Sequence, residues 1–222
     1  MLVAYSFVFN VIFKARWAGT DEGDGTFVLM LYAGMLVHGL VAECLIRSPG
    51  LIIATPSYVK KIVFPLEVVP LVCVAVALFN LCTGIGLLLI AKIAIMHSVS
   101  WVNIWALPVL LPIMLITLGI TYLFSALGVY LRDLSQLTTS LAMILLFFSP
   151  VFYPVSSVPQ KYRVFFEWSP LTSTIENMRK VFLFNQLPDF AALSVSMIVS
   201  LILCWAGYFT FQRMRMGFAD VL

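Results

Sequence analysis

A helix needs about 20 mostly apolar residues to cross roughly 30 Å of hydrocarbon. Five stretches of this chain meet that requirement: 27–46, 66–91, 104–130, 134–153 and 190–211. Their only charged members are Glu43 and Glu67, each close to the end of its run. Inside a bilayer every backbone N–H and C=O must be bonded internally. The runs therefore predict an all-α polytopic membrane protein of short antiparallel crossings. Composition agrees, with 62% apolar and 10% charged residues and a mean hydropathy of +1.06, against roughly 25% charged in an ordinary soluble domain.

Several function classes fall away early. A net charge of +3, scattered along the chain, does not describe a nucleic-acid binder. Cys44, Cys73, Cys82 and Cys204 lie within apolar runs without C-x-x-C spacing, and His38 and His97 are the only histidines, so neither a disulfide framework nor a metal site is indicated. The chain has no G-x-x-x-x-G-K-[ST] phosphate loop; "CTGIGLLL" reads as a glycine-bearing helix segment. No charge falls at the centre of any run, so the acidic or histidine relays of ion-coupled pumps are missing. Any energy for work must come from elsewhere. His38 lies deep in its run and reads first as a hydrogen-bonded packing residue, while Glu43 and Arg47 read as an i,i+4 interfacial pair.

Residues 1–13 reach only about 20 Å as a helix and read as the second half of a crossing whose beginning lies outside this chain. Orientation should follow Lys and Arg in the loops. One side would hold Arg47, Lys60, Lys61, Arg132, Arg213 and Arg215; the other Lys14, Arg16, Lys92, Lys161, Arg163, Arg179 and Lys180. This near tie leans towards a cytoplasmic Lys60–Lys61 pair, because the first set sits in shorter loops.

Two polar segments carry the functional signal. In "TPSYVKKIVFP", Thr55 suits an N-cap and Pro56 the first helical position, and Pro65 stops the helix at Phe64. The resulting helix, 55–64, places Val59, Ile62 and Val63 on one face and Ser57, Lys60 and Lys61 elsewhere. It is too short to span, so it either anchors a loop on anionic lipid or presents a basic face to a cytosolic partner. Residues 154–189 contain two amphipathic half-length helices separated by Pro170. Tyr162, Phe165 and Phe166 share a face of the first. The second is expected to open with a capping box from Ser173 to Glu176, to carry Ile175, Met178, Arg179 and Phe182 at helical spacing, and to pair Glu176 with Lys180. They fit either a re-entrant hairpin lining a mouth or a surface hairpin. Arg132 and Asp133 mark the turn between two runs.

Four ordered stretches, "YVKKIVFPLEVVP", "GVYLRDLSQL", "SPVFYPVSSVPQKYRVFFEWSPLTSTIENMR" and "FQRMRMGFADVL", resemble the membrane subunits of bacterial polysaccharide ABC exporters of the ABC-2 type, which move O-antigen, capsule or teichoic-acid chains. The resemblance runs from about Tyr5 to Leu222. It implies one ABC-2-type transmembrane domain over 1–222, in the bacterial inner membrane. Its parts would be five full transmembrane helices after a partial first one, a cytoplasmic coupling helix and two short extracytoplasmic gate helices. Two copies would form the pore above separate ATPase subunits that bind ATP and Mg, so this chain would be no enzyme and carry no cofactor. Ser57, Tyr58, Lys60, Lys61, Arg132 and Asp133 would meet the ATPase. Tyr162, Phe165, Phe166, Met178 and Phe182 would belong to the gate helices. Family members begin with a cytosolic amphipathic helix and a complete first crossing, which this chain does not show in full. A sliding glycan, free or lipid-linked, suits aromatic rings that stack on sugar C–H faces, and Phe147, Phe148, Phe152 and Tyr153 are the channel candidates; Trp101 and Trp105 read as an interfacial belt. The alternatives are an ABC-2 exporter of drugs or lipids, a membrane-embedded glycan-modifying enzyme, and a structural scaffold. Asp21, Glu22 and Asp24 read as a solvated turn and not as catalytic acids.

Overall fold

The computed structural model describes residues 24–56, 64–97, 100–131, 133–167 and 169–221. Among these every regular element is helical: α1 (Asp24–Arg47), α2 (Val68–Met96), α3 (Ala106–Tyr130), α4 (Leu134–Phe148), α5 (Gln160–Glu167), α6 (Pro170–Phe182), α7 (Phe190–Arg215) and the terminal turn α8 (Phe218–Val221). Short 3-10 turns at Ser48–Gly50, Trp101–Trp105 and Val155–Ser157 join them. Four spans, Thr26–Gly50, Val68–Met96, Trp101–Tyr130 and Phe190–Arg215, are long and apolar enough to cross a membrane. Four of the five apolar runs thus give helices of crossing length among the described residues, and the chain is a multi-pass membrane protein.

The fifth run, 134–153, gives a helix shorter than the length a full crossing calls for. Its helix, α4, has 15 residues, about 22 Å at 1.5 Å per residue. Pro150 disfavours the helical conformation at Ser149, which adopts extended backbone (φ −106°, ψ 150°) and ends the helix. Other departures are local. α6 begins at Pro170 with Ser169 at its N-cap, so Ser173 lies inside the helix and the expected capping box does not form. Pro170 fits there because its missing N–H is one a first turn leaves unbonded anyway. Lys92, expected just beyond its run, falls inside α2 because apolar residues carry that helix on to Met96.

α1 is the central helix, packed against α2, α3, α4 and α6. Its most apolar stretch is 61% buried, against 17% for α7. Leu31, Ala33, Val37 and Cys44 of α1, Ala77 and Leu88 of α2, Val109 and Ile113 of α3 and Ile175 and Met178 of α6 close one core. The outward faces of α2 and α7 stay apolar (Phe79, Leu87, Ile90, Ile198, Ile202, Trp205), as lipid or a second helical surface requires.

α3 and α7 lie together over most of their length, and small residues set how closely. A Cβ at Gly119 would fall 2.6 Å from the Cys204 Cα, and one at Gly207 would land on the Gly119 carbonyl. Such backbone contact between helices is a recurrent device in bilayers, where apolar burial gains nothing over lipid. Gly128 likewise abuts the Pro49 backbone, which fixes the end of α1 against the end of α3.

Candidate functional site

At one end of the bundle the chain leaves α1, passes through 51–67 and enters α2. The base of this loop is bolted to the other helices. The Glu67 Oε1 accepts from Gln212 Nε2 at 2.8 Å and is paired with the Arg215 guanidinium. Tyr122 donates its hydroxyl to the Glu67 carbonyl at 3.1 Å, and Tyr130 donates to the Met214 carbonyl at 2.9 Å. Ile52, Leu66, Tyr122, Ala126, Val129, Phe211 and Phe218 form a second apolar cluster beneath. Burial alone would raise the Glu67 pKa, but the bonds from Gln212 and Arg215 outweigh it and hold the carboxyl below its ordinary range. Glu67, the acid of "YVKKIVFPLEVVP", is therefore a fastener that ties the loop's exit to the C-terminal end of α7.

The predicted coupling residues Ser57, Tyr58, Lys60, Lys61 and Arg132 lie outside the described residues. Their flanks do not: Pro56 is helical, the Thr55 hydroxyl donates back to the Leu51 carbonyl at 3.1 Å, and Asp133 is exposed in the turn that opens α4. Beside this loop a groove of about 640 Å³ runs from Arg47 past Leu51 and Phe64 to Val68, Val72 and Val76. Arg47 pairs with Glu43 at 3.1 Å as the spacing predicts, and Asn80 of α2 also donates to Glu43 at 3.1 Å.

At the opposite end α5 and α6 form the expected half-length pair. Their two members are held very differently. α6 is buried along most of its length, with Ile175 and Met178 fully inaccessible and Phe182 nearly so. Its Arg179 is 1% exposed. Nε donates to the Met30 carbonyl of α1 at 3.1 Å, Nη1 to the Pro150 carbonyl at 2.7 Å and Nη2 to the Val151 carbonyl at 2.8 Å. Glu176, expected to pair with Lys180, instead meets Arg179 at 3.2 Å, because the buried guanidinium gains more from a nearby charge than an ammonium in solvent does. Burial brings the Arg179 pKa down to about 10, with Glu176 opposing, so the group remains charged at neutral pH.

A second cation fastens the turn after α6. The Lys92 ammonium, fully buried, donates to the Asn185 Oδ1 at 2.8 Å and to the Asn103 Oδ1 at 3.3 Å. Asn185 sits in the left-handed region at φ 51°, a conformation asparagine tolerates better than most residues. α5 instead bonds mainly to its own approach: Arg163 donates to the Ser156 carbonyl at 2.9 Å and the Val158 carbonyl at 3.2 Å. Tyr162 projects outward, and Phe166 packs on Tyr153 with ring centroids 6.2 Å apart. The Phe165 side chain lies outside the described set.

The channel candidates divide. Phe147 and Phe148 stand out from the bundle at 68% and 71% exposure, whereas Phe152 is only 9% exposed within the core. Tyr153 turns its hydroxyl back onto the Phe147 carbonyl at 2.8 Å. His38 donates from Nε2 to the Ala142 carbonyl of α4 at 3.2 Å, the packing role expected of it. The sequence did not reveal Arg179 as a fork across three segments, since two of its acceptors lie beside a helix end 28 and 29 residues away and the third is 149 residues away.

The chain has relatives among known proteins. A family model described as ABC-2 type transporter matches residues 1–183. An O-antigen export system permease protein RfbA of Klebsiella pneumoniae is 26% identical over 221 residues, covering 98% of this chain and 82% of the relative. A protein of the same name from Myxococcus xanthus is 25% identical over 222 residues, covering 99% of this chain and 82% of its own length. With four helices of crossing length, α1 central among them, and a family match extending through α6, the chain belongs to the ABC-2 type transporters.

Proposed function

We propose that this chain is the transmembrane subunit of an ATP-driven exporter that moves a polysaccharide of the O-antigen, capsule or teichoic-acid kind across the bacterial inner membrane. The observation that carries this reading is similarity along 98% of the chain to permeases named for O-antigen export. ATP and Mg belong to a separate ATPase subunit, and two copies of this chain enclose the path. Segment 55–64 is the coupling helix, with Lys60 and Lys61 at the ATPase contact, and Arg132 and Asp133 beside it. The bolts from Glu67 to Gln212 and Arg215 support this, because a push on the loop reaches α7 and α3 through hydrogen bonds and an ion pair without a soft linker. α5 and α6 are the gate helices at the outer mouth. Burial of Lys92 and Arg179 supports the orientation, since it removes two charges from the outer side of the loop tally and leaves the loop bearing Lys60 and Lys61 cytoplasmic.

The test is complementation. A strain lacking its own glycan permease but keeping the ATPase receives this chain, and surface glycan is measured with active ATPase and with an ATPase unable to hydrolyse ATP. Glycan restored only by the active pair supports the proposal. A membrane-inserted chain that associates with the ATPase but restores drug or lipid efflux and no glycan overturns the substrate class. Glycan modification without any ATPase overturns the exporter itself.

A further inference from the structure

The Arg179 fork does more than bury α6. Pro150 and Val151, two of its three carbonyl acceptors, lie just past the C-terminal end of α4, where the macrodipole favours a nearby cation. The guanidinium therefore ties the turn that directly follows α4 to α6 while its Nε holds α1 at Met30. Gly34, one turn on from Met30, is shaped to this arrangement: a Cβ there would meet Arg179 Nη2 at 2.9 Å and the Val151 Cα at 3.3 Å. Elsewhere α4 is held lightly. One stripe, Leu134, Thr138 and Ala142, is buried, while Leu137, Met143, Ile144, Phe147 and Phe148 face outward. α4 starts directly after Asp133, in the turn assigned above to the ATPase contact, and ends on Arg179.

We propose that Arg179 is a positioning residue that joins α4 to α6, so that α4 acts as a rod carrying displacement from the ATPase-side turn to the gate hairpin. At the outer mouth α6 then travels with α4 as one body. This rests on the exporter reading and adds the route by which the two ends communicate. The fork geometry is essential and the charge alone is not sufficient, because a lysine ammonium is a compact point charge that cannot span three carbonyls.

Arg179→Lys and Glu176→Gln are compared with wild type, each in membranes with the ATPase subunit, reading assembled complex, ATP hydrolysis and surface glycan. In Arg179→Lys, assembly and hydrolysis should stay within about twofold while export falls at least tenfold; Glu176→Gln, which keeps the fork but removes its counter-charge, should lose far less export than Arg179→Lys, and an equal loss would overturn the fork. Parallel loss of assembly, hydrolysis and export would mean a merely structural arginine, and unimpaired export would remove the joint altogether. Should Arg179→Lys not fold, Gly34→Ala displaces the guanidinium without deleting it and should show the same split in milder form. If the wild type itself exports nothing, the exporter reading has failed and hydrogen exchange on the purified chain decides the joint. Amides at 145–151 and in α6 should then accelerate together in Gly34→Ala; acceleration in α6 alone overturns the proposal.

Discussion

The crossing of α3 and α7 offers a perturbation whose outcome follows from geometry. Gly207→Ala adds one methyl group that would land on the Gly119 carbonyl, with the Gly119 carbonyl carbon at 2.7 Å and its Cα at 2.9 Å. These are backbone atoms of a neighbouring helix and cannot rotate aside, so the helices must separate. Overpacking of this kind costs about 1–3 kcal/mol. In a chain of this size each kcal/mol shifts Tm by roughly 2–4 °C, so a fall of about 2–12 °C is expected. Gly86→Ala is the matched control, because nothing lies within 4 Å of its Cβ position. There the same substitution removes glycine's helix penalty and should be neutral or stabilising by about 0.5–1 kcal/mol. The assay is thermal unfolding of both variants in one detergent, followed by size-exclusion and tryptophan fluorescence. Equal midpoints for Gly207→Ala and wild type, or equal losses in both variants, would refute the claim that backbone contact sets this interface.

Three further predictions concern the ends of the bundle. Phe148→Ala should leave stability near wild type, because the ring is exposed, and is a clean probe of glycan sliding by export rate; Phe152→Ala should cost about 3–5 kcal/mol by emptying core volume and reports on folding when read by thermal midpoint. Glu67→Gln should remove a pH-dependent contribution. The Glu67 carboxyl is held below its ordinary pKa, so its stabilisation is fully present above the unfolded value of about 4.5 and is lost as pH falls through the lower folded value. A titration of Tm against pH should show a shallower acid-side decline for Glu67→Gln than for wild type, and a lower Tm at neutral pH; parallel curves would refute the bolt.

The crossings were legible because apolar runs of this length have one stable fate in lipid. α1, α2, α3 and α7 fall on 27–46, 66–91, 104–130 and 190–211 with small changes at their ends. The short α4 was also readable, in the Ser149–Pro150 dipeptide, but uniform hydropathy across 134–153 concealed it. In the second half-length helix, the S-x-x-E pattern at Ser173 competed with Ser169–Pro170, and the proline won because its ring is compatible only with the first turn. The His38 bond, the Lys92 turn and the Arg179 fork all reach acceptors distant in sequence, with no periodic spacing to announce them. Sequence spacing grouped Arg179 with Ile175, Met178 and Phe182; only tertiary structure identifies that face as buried and what it holds.

The central claim is that the 55–64 loop docks an ATPase. It is tested most directly by recovering tagged chain from solubilised membranes that contain the ATPase subunit, alongside the Lys60→Glu/Lys61→Glu double variant at equal membrane level. The ATPase should be retained by the wild type and lost from the variant, because two acidic side chains reverse the docking charge. Equal recovery with both would contradict it and return the lysine pair to lipid anchoring.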